Sequence, residues 1–175
     1  MGQTAEFPEA PELTTSQWFN STGDITLSAL RGQVVVIEAF QMLCPGCVTH
    51  GLPQAQKVQA AFGDDLTVLG LHSVFEHHEA MTPVSLEAFL HEYRITFPVG
   101  VDAHLDGQAM PITMERYRLE GTPSLLLVDR EGRLRVKAFG QVDDMLLGAT
   151  LARLIDEPRP PSRGTRHNQR PATPR

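Results

Sequence analysis

The feature that most constrains this chain is the run Val34-Val35-Val36-Ile37-Glu38-Ala39-Phe40, with Cys44-Pro45-Gly46-Cys47 close behind it. A β-branched, almost wholly apolar run without alternation is the pattern of a strand covered on both faces, which calls for helices on both sides of a sheet. Val48–Phe62 then has helical spacing, with Leu52, Ala55, Val58 and Phe62 able to share one face. Pro53 removes a backbone donor inside that stretch and is expected to kink it. The two cysteines therefore stand at a strand–helix junction.

Further along, Leu66–Ser73 reads as a second buried strand, Glu76–Pro83 as a loop and Ser85–Tyr93 as a helix with Ser85 as its N-cap. Phe97–Asp102 is an expected short strand, and Met110–Tyr117 holds a short helix. Ser124–Asp129 and Arg133–Phe139 form a hairpin through Asp129-Arg130-Glu131-Gly132. Asp143–Ile155 is a final helix, with Asp143 or Asp144 suited to its first turn. Residues 1–33 read as a leading segment in which Trp18 and Phe19 belong to the core. The order β-α-β, an α-rich stretch, then β-β-α implies an α/β fold: a mixed sheet flanked by helices.

The chain of 175 residues suits one domain, expected over 1–156, with a tail over 157–175. That tail carries five Arg against one acid, whereas the preceding 156 residues carry ten basic and twenty acidic side chains. The acidic body argues against nucleic acid as a partner. The Pro/Arg-rich tail has no apolar periodicity and is expected to be disordered. No apolar run reaches the ~18 residues that would suggest a membrane helix. The opening MGQTAEFPEAPEL lacks a basic start followed by an apolar stretch, so a cytoplasmic location is expected, although a leader already removed leaves the same sequence.

The chain has two cysteines, Cys44 and Cys47. A bridge across so short a loop constrains little of the unfolded chain, and a structural zinc site needs about four ligands. Redox chemistry remains. At a helix start, free N–H groups and the helix dipole favour a thiolate at Cys44, drawing its pKa below the ordinary thiol value of about 8.5. Cys47, one turn further in, can attack Cys44 and expel a mixed-disulfide partner. Cys44 is thus the expected nucleophile and Cys47 the resolving thiol. Glu38 needs a reason for its place in an apolar strand, since burying a carboxylate is costly. Burial would raise its pKa toward neutrality and suit it to general-base work.

Val34–Phe40 leading into Cys44-Pro45-Gly46-Cys47, then Gly121-Thr122-Pro123-Ser124, then Leu125–Asp129 with its turn, resembles the thioredoxin superfamily. Within it, the chain is similar to the redoxin or TlpA-like thiol–disulfide oxidoreductases, related to AhpC/TSA proteins. The resemblance covers approximately Trp18–Ile155, and Leu69–Tyr117 resembles an insertion that ordinary thioredoxins lack. It implies a thioredoxin-like fold with an extra N-terminal segment. It places an acid at the position of Glu38 beneath the second cysteine as a proton shuttle, and makes Pro123 cis, facing the cysteines. It also gives the Thr122 backbone to an extended substrate chain. Thr122 and Pro123, with Pro45 and Gly46, are the expected substrate-binding positions. The implied partners are a protein disulfide and a thiol electron donor, with no cofactor.

Four departures from the family pattern stand out. Leu43 replaces the usual Trp, Pro-Gly replaces Gly-Pro, Pro53 lies six rather than five residues after Cys47, and Gly70 falls where a buried lysine is customary. His72, His77 and His78, with Glu76 and Glu79, lack H-E-x-x-H, and no metal is expected there. His72 could instead line the active-site end of its strand and tune access or charge there, and His50 is taken as surface decoration. A competing function is a peroxiredoxin-like thiol peroxidase with Cys47 peroxidatic. That reading lacks a proline seven residues before Cys47, where Phe40 stands, and lacks a clear activating arginine. A non-catalytic redox-sensing or binding module is the third.

Overall fold

The computed structural model describes residues 7–158. The tail expected to be disordered lies, from residue 159 onward, outside the described residues. Six strands form one mixed sheet: β1 (Thr15–Phe19), β2 (Val34–Phe40), β3 (Leu66–His72), β4 (Val99–Asp102), β5 (Ser124–Val128) and β6 (Leu134–Phe139). Their order is β1-β4-β3-β2-β5-β6. The pairs β2–β3 and β3–β4 are parallel, while β2–β5, β5–β6 and β1–β4 are antiparallel. The helices are α1 (Leu52–Phe62), α2 (Pro83–Glu92), α3 (Ile112–Arg116) and α4 (Asp144–Asp156).

All seven residues of β2 are buried. Alternate side chains of a strand face opposite sides of a sheet. Val34, Val36 and Phe40 accordingly join a core with Leu52, Ala55 and Val58 of α1, Leu86 and Leu90 of α2, and Leu147, Leu151 and Leu154 of α4. Val35, Ile37 and Ala39 face the other core, built from Ala10, Leu27, Met114, Tyr117 and Leu119. Glu38 falls between Val36 and Phe40, on the α1 side. The fully buried run thus reflects helical cover on one face and the leading segment with α3 on the other.

Three element ends show how the boundaries are set. Thr82, not Ser85, caps α2: its side chain accepts from the Ser85 N–H, and Pro83 takes the first helical turn, where its missing N–H costs nothing. Asp143 caps α4 by accepting from the Met145 and Leu146 N–H groups. The leading segment contains β1, which pairs with β4 at the sheet edge. Its core readings hold in part, since Trp18 and Phe19 are half-buried. The Asp129–Gly132 turn is present. The Asp129 carboxylate accepts from the Glu131 and Arg133 N–H groups and from both Arg133 and Arg135 side chains.

Candidate active site

The sheet delivers β2 to the cysteines. Gln41, the first residue beyond β2, accepts the Cys44 N–H at its backbone carbonyl (3.2 Å), closing the turn that presents Cys44. The helix begins right after Cys44, and the Cys47 N–H points at the Cys44 Sγ from 3.2 Å. Cys44 and Cys47 are joined by a disulfide with their Cα atoms 5.3 Å apart. The two sulfurs differ in access: Cys44 is half-buried, whereas Cys47 has no exposed surface. Leu43, which directly precedes Cys44 in the chain where the family pattern has Trp, is exposed.

The Thr122–Pro123 peptide is cis. The Thr122 carbonyl oxygen lies 3.4 Å from the Cys44 Sγ. Pro123 packs against the cysteine helix at two glycines. A Cβ on Gly46 would stand 3.2 Å from the Pro123 Cδ, and one on Gly51 would stand 3.0 Å from its Cβ. Thr122, Pro123, Gly46 and Cys44 are therefore assembled in one place, while Pro45 is exposed at the first turn.

The helix after the cysteines is not a continuous α-helix. Cys47–Gly51 is a π turn, in which the Leu52 N–H reaches back to the Cys47 carbonyl. Such a turn holds one residue more than an α turn and is common at functional sites. It absorbs the additional residue between Cys47 and Pro53. The kink expected at Pro53 is thereby corrected: Pro53 occupies the first turn of α1, and the irregularity precedes it.

Glu38 lies beneath this turn. Its side chain is 2 % exposed, and its Oε1 has no hydrogen-bond partner among the described residues. Burial pushes its pKa up to about 8. In register, its neighbour on β3 is Gly70, so no lysine side chain offsets the carboxylate from that strand.

His72 closes the active-site end of β3, but it is fully buried, with its ring 5.3 Å from that of Phe40. Burial lowers its pKa to about 4, and neither ring nitrogen has a partner among the described residues. The expected role in tuning charge at the site is corrected accordingly: near neutral pH His72 carries no charge. His50, His77 and His78 are exposed, and His78 Nε2 meets the Ala109 carbonyl at 3.1 Å.

Sequence reasoning missed Gln41. Its side chain is buried, with Oε1 accepting the Phe75 N–H at 3.2 Å and Nε2 reaching Thr122 Oγ1 at 3.5 Å. It ties the cysteine turn to the loop after β3 and to the cis-proline loop. The available signal was a glutamine directly following seven buried residues.

Residues 8–137 match the AhpC/TSA family. The thioredoxin-like superfamily protein SPOA0173 superposes with a TM-score of 0.85 at 65 % identity, over 87 % of this chain and 99 % of that one. A thiol-disulfide isomerase from Corynebacterium glutamicum superposes with a TM-score of 0.81 at 53 % identity, over 85 % of this chain and 98 % of the other. Protein DipZ of Mycobacterium bovis is 26 % identical over 155 residues, which is 86 % of this chain and 21 % of that protein. The chain thus spans about a fifth of the length of the curated relatives it matches. The fold is thus thioredoxin-like, and it carries the Cys44–Cys47 disulfide at the start of its first helical stretch.

Proposed function

The chain belongs to the AhpC/TSA family, and from that premise we propose that it reduces protein disulfides, with Cys44 as nucleophile, Cys47 as resolving thiol and Glu38 as the proton shuttle between them and solvent. The observation that supports this most is the unequal access of the two sulfurs beside the Thr122 carbonyl. A disulfide presented by an extended chain along Thr122 meets Cys44 and not Cys47.

In the reduced protein the Cys44 thiolate attacks one sulfur of the substrate disulfide. A Cys44–substrate S–S bond forms, the substrate S–S bond breaks, and the departing sulfur leaves as a thiolate that takes a proton. The Cys47 N–H aimed at the Cys44 Sγ and the helix start stabilise the attacking thiolate. Ionised Glu38 then accepts the Cys47 proton. The Cys47 thiolate attacks the Cys44 sulfur, forms the Cys44–Cys47 disulfide and releases the second substrate thiolate. Two electrons pass from the dithiol to the substrate, and a thiol donor returns them. A carboxyl with a pKa of about 8 exchanges protons with a thiol at little cost in either direction.

Glu38→Gln therefore slows resolution by roughly 10²-fold, while the attack by Cys44 changes much less. Wild-type resolution accelerates as pH rises through about 8, where Glu38 ionises, and the variant lacks that inflection. Rapid-quench separation of the two steps, with dithiothreitol as donor and a protein disulfide as substrate, checks both. Equal rates of resolution in the two proteins across this pH range would remove the shuttle from the mechanism.

A further inference from the structure

We infer that Gly51 is the positioning residue that lets the Glu38 carboxyl lie against the cysteine helix, and that the π turn Cys47–Gly51 serves to bring a glycine to that place. The inference rests on the proton-shuttle reading of Glu38 and extends it to a residue that does no chemistry itself.

Gly51 has φ −59° and ψ −57°, ordinary right-handed helical geometry. Its backbone does not use the freedom that usually explains a glycine, and glycine is among the poorest helix formers. Space explains it instead. A Cβ at this position would stand 2.0 Å from the Glu38 Oε1, 3.0 Å from its Cδ and 3.0 Å from the Pro123 Cβ. The strand backbone holds its place, because β2 is buried throughout and paired on both edges, with β3 and with β5, so relief would fall to the Glu38 carboxyl, which would have to swing away from the helix. The buried Oε1, without a hydrogen-bond partner among the described residues, is thus held against helix backbone one turn on from Cys47. Each helical residue turns about 100°, so the additional residue in the π turn sets which position faces Glu38. The turn and the glycine act together.

The test is Gly51→Ala, alone and combined with Glu38→Asp, which retracts the carboxyl by one methylene. Backbone geometry tolerates alanine, so only the methyl group is at issue. Gly51→Ala should slow resolution of the mixed disulfide roughly 10- to 100-fold and move the pH midpoint of that step, with the initial attack nearly unchanged. Glu38→Asp should recover much of the loss in the Gly51→Ala background, although it slows the wild-type protein. An unchanged rate and midpoint in Gly51→Ala would overturn the inference, as would losses that simply multiply in the double variant. If Gly51→Ala fails to fold, Glu38→Ala in the same background should restore folding by vacating the space, and failure to do so would equally overturn it. A Glu38→Gln protein that resolves at the wild-type rate sinks the shuttle reading alone. The steric coupling of Gly51 to Glu38 is then still read from the melting temperatures of Gly51→Ala, Glu38→Asp, the double variant and the wild type.

Discussion

Cys47→Ser, mixed with a protein disulfide, accumulates a stable mixed disulfide through Cys44, whereas Cys44→Ser loses turnover by more than about 10³-fold. The asymmetry follows from the site. Cys44 is half-exposed, stands at the helix start and receives the Cys47 N–H at 3.2 Å. Cys47 has no exposed surface, so a bulky disulfide reaches it only by local opening. With Cys47 replaced, attack proceeds and nothing expels the adduct. With Cys44 replaced, the remaining thiol is buried behind the position where the substrate would bind. Intact-mass analysis of both variants after exposure to the same disulfide checks the assignment. An adduct forming as fast on Cys44→Ser as on Cys47→Ser would reverse the roles.

The second large effect is on stability, measured on the oxidised protein so that no thiol titrates. Glu38 has a folded-state pKa raised from 4.5 to about 8. Between those values the folded protein holds a proton that the unfolded chain has released, so Glu38 makes stability fall as pH rises. His72 has a folded-state pKa lowered from 6.5 to about 4. Between those values the unfolded chain holds the additional proton, so His72 makes stability rise with pH. The two slopes oppose each other from pH 4.5 to 6.5, and Glu38 acts without His72 from there to about 8. Relative to wild type, Glu38→Gln should therefore gain progressively above pH 4.5, by on the order of 4 kcal/mol once pH passes 8. His72→Phe should gain in the opposite direction, by on the order of 3 kcal/mol as pH approaches 4. Urea denaturation across this range provides the curves. Variant curves parallel to wild type would mean that neither group is held in its neutral form by the fold.

The parts of the molecule legible in the sequence are those where one residue type has one reason to be there. An uninterrupted apolar run can be satisfied only by cover on both faces, so β2 was readable to the residue. The Asp129–Gly132 turn and the strands beside it announced themselves through turn chemistry. Other features depend on contacts far apart in the chain. β1 is short and half polar, and it becomes a strand because β4 offers an edge more than 80 residues later. Gln41 has no local reason to stand out, since its partners, Phe75 and Thr122, are remote in sequence. The count of six from Cys47 to Pro53 was visible, yet its meaning was not: only the packing of Glu38 under Gly51 shows why the helix carries one residue more. His72 stands at the expected end of its strand in a different environment, because period-2 alternation does not reveal that it is buried against the ring of Phe40.

The most direct test of the central claim uses the reduced wild-type protein in stopped flow, against a protein disulfide and separately against hydrogen peroxide, with acid quench and mass assignment of each sulfur. The account predicts fast oxidation by the disulfide with the first adduct on Cys44, followed by the Cys44–Cys47 bond, and a much slower reaction with peroxide. Sulfenic acid forming at Cys47 faster than any disulfide reacts at Cys44 would contradict it and identify a thiol peroxidase instead.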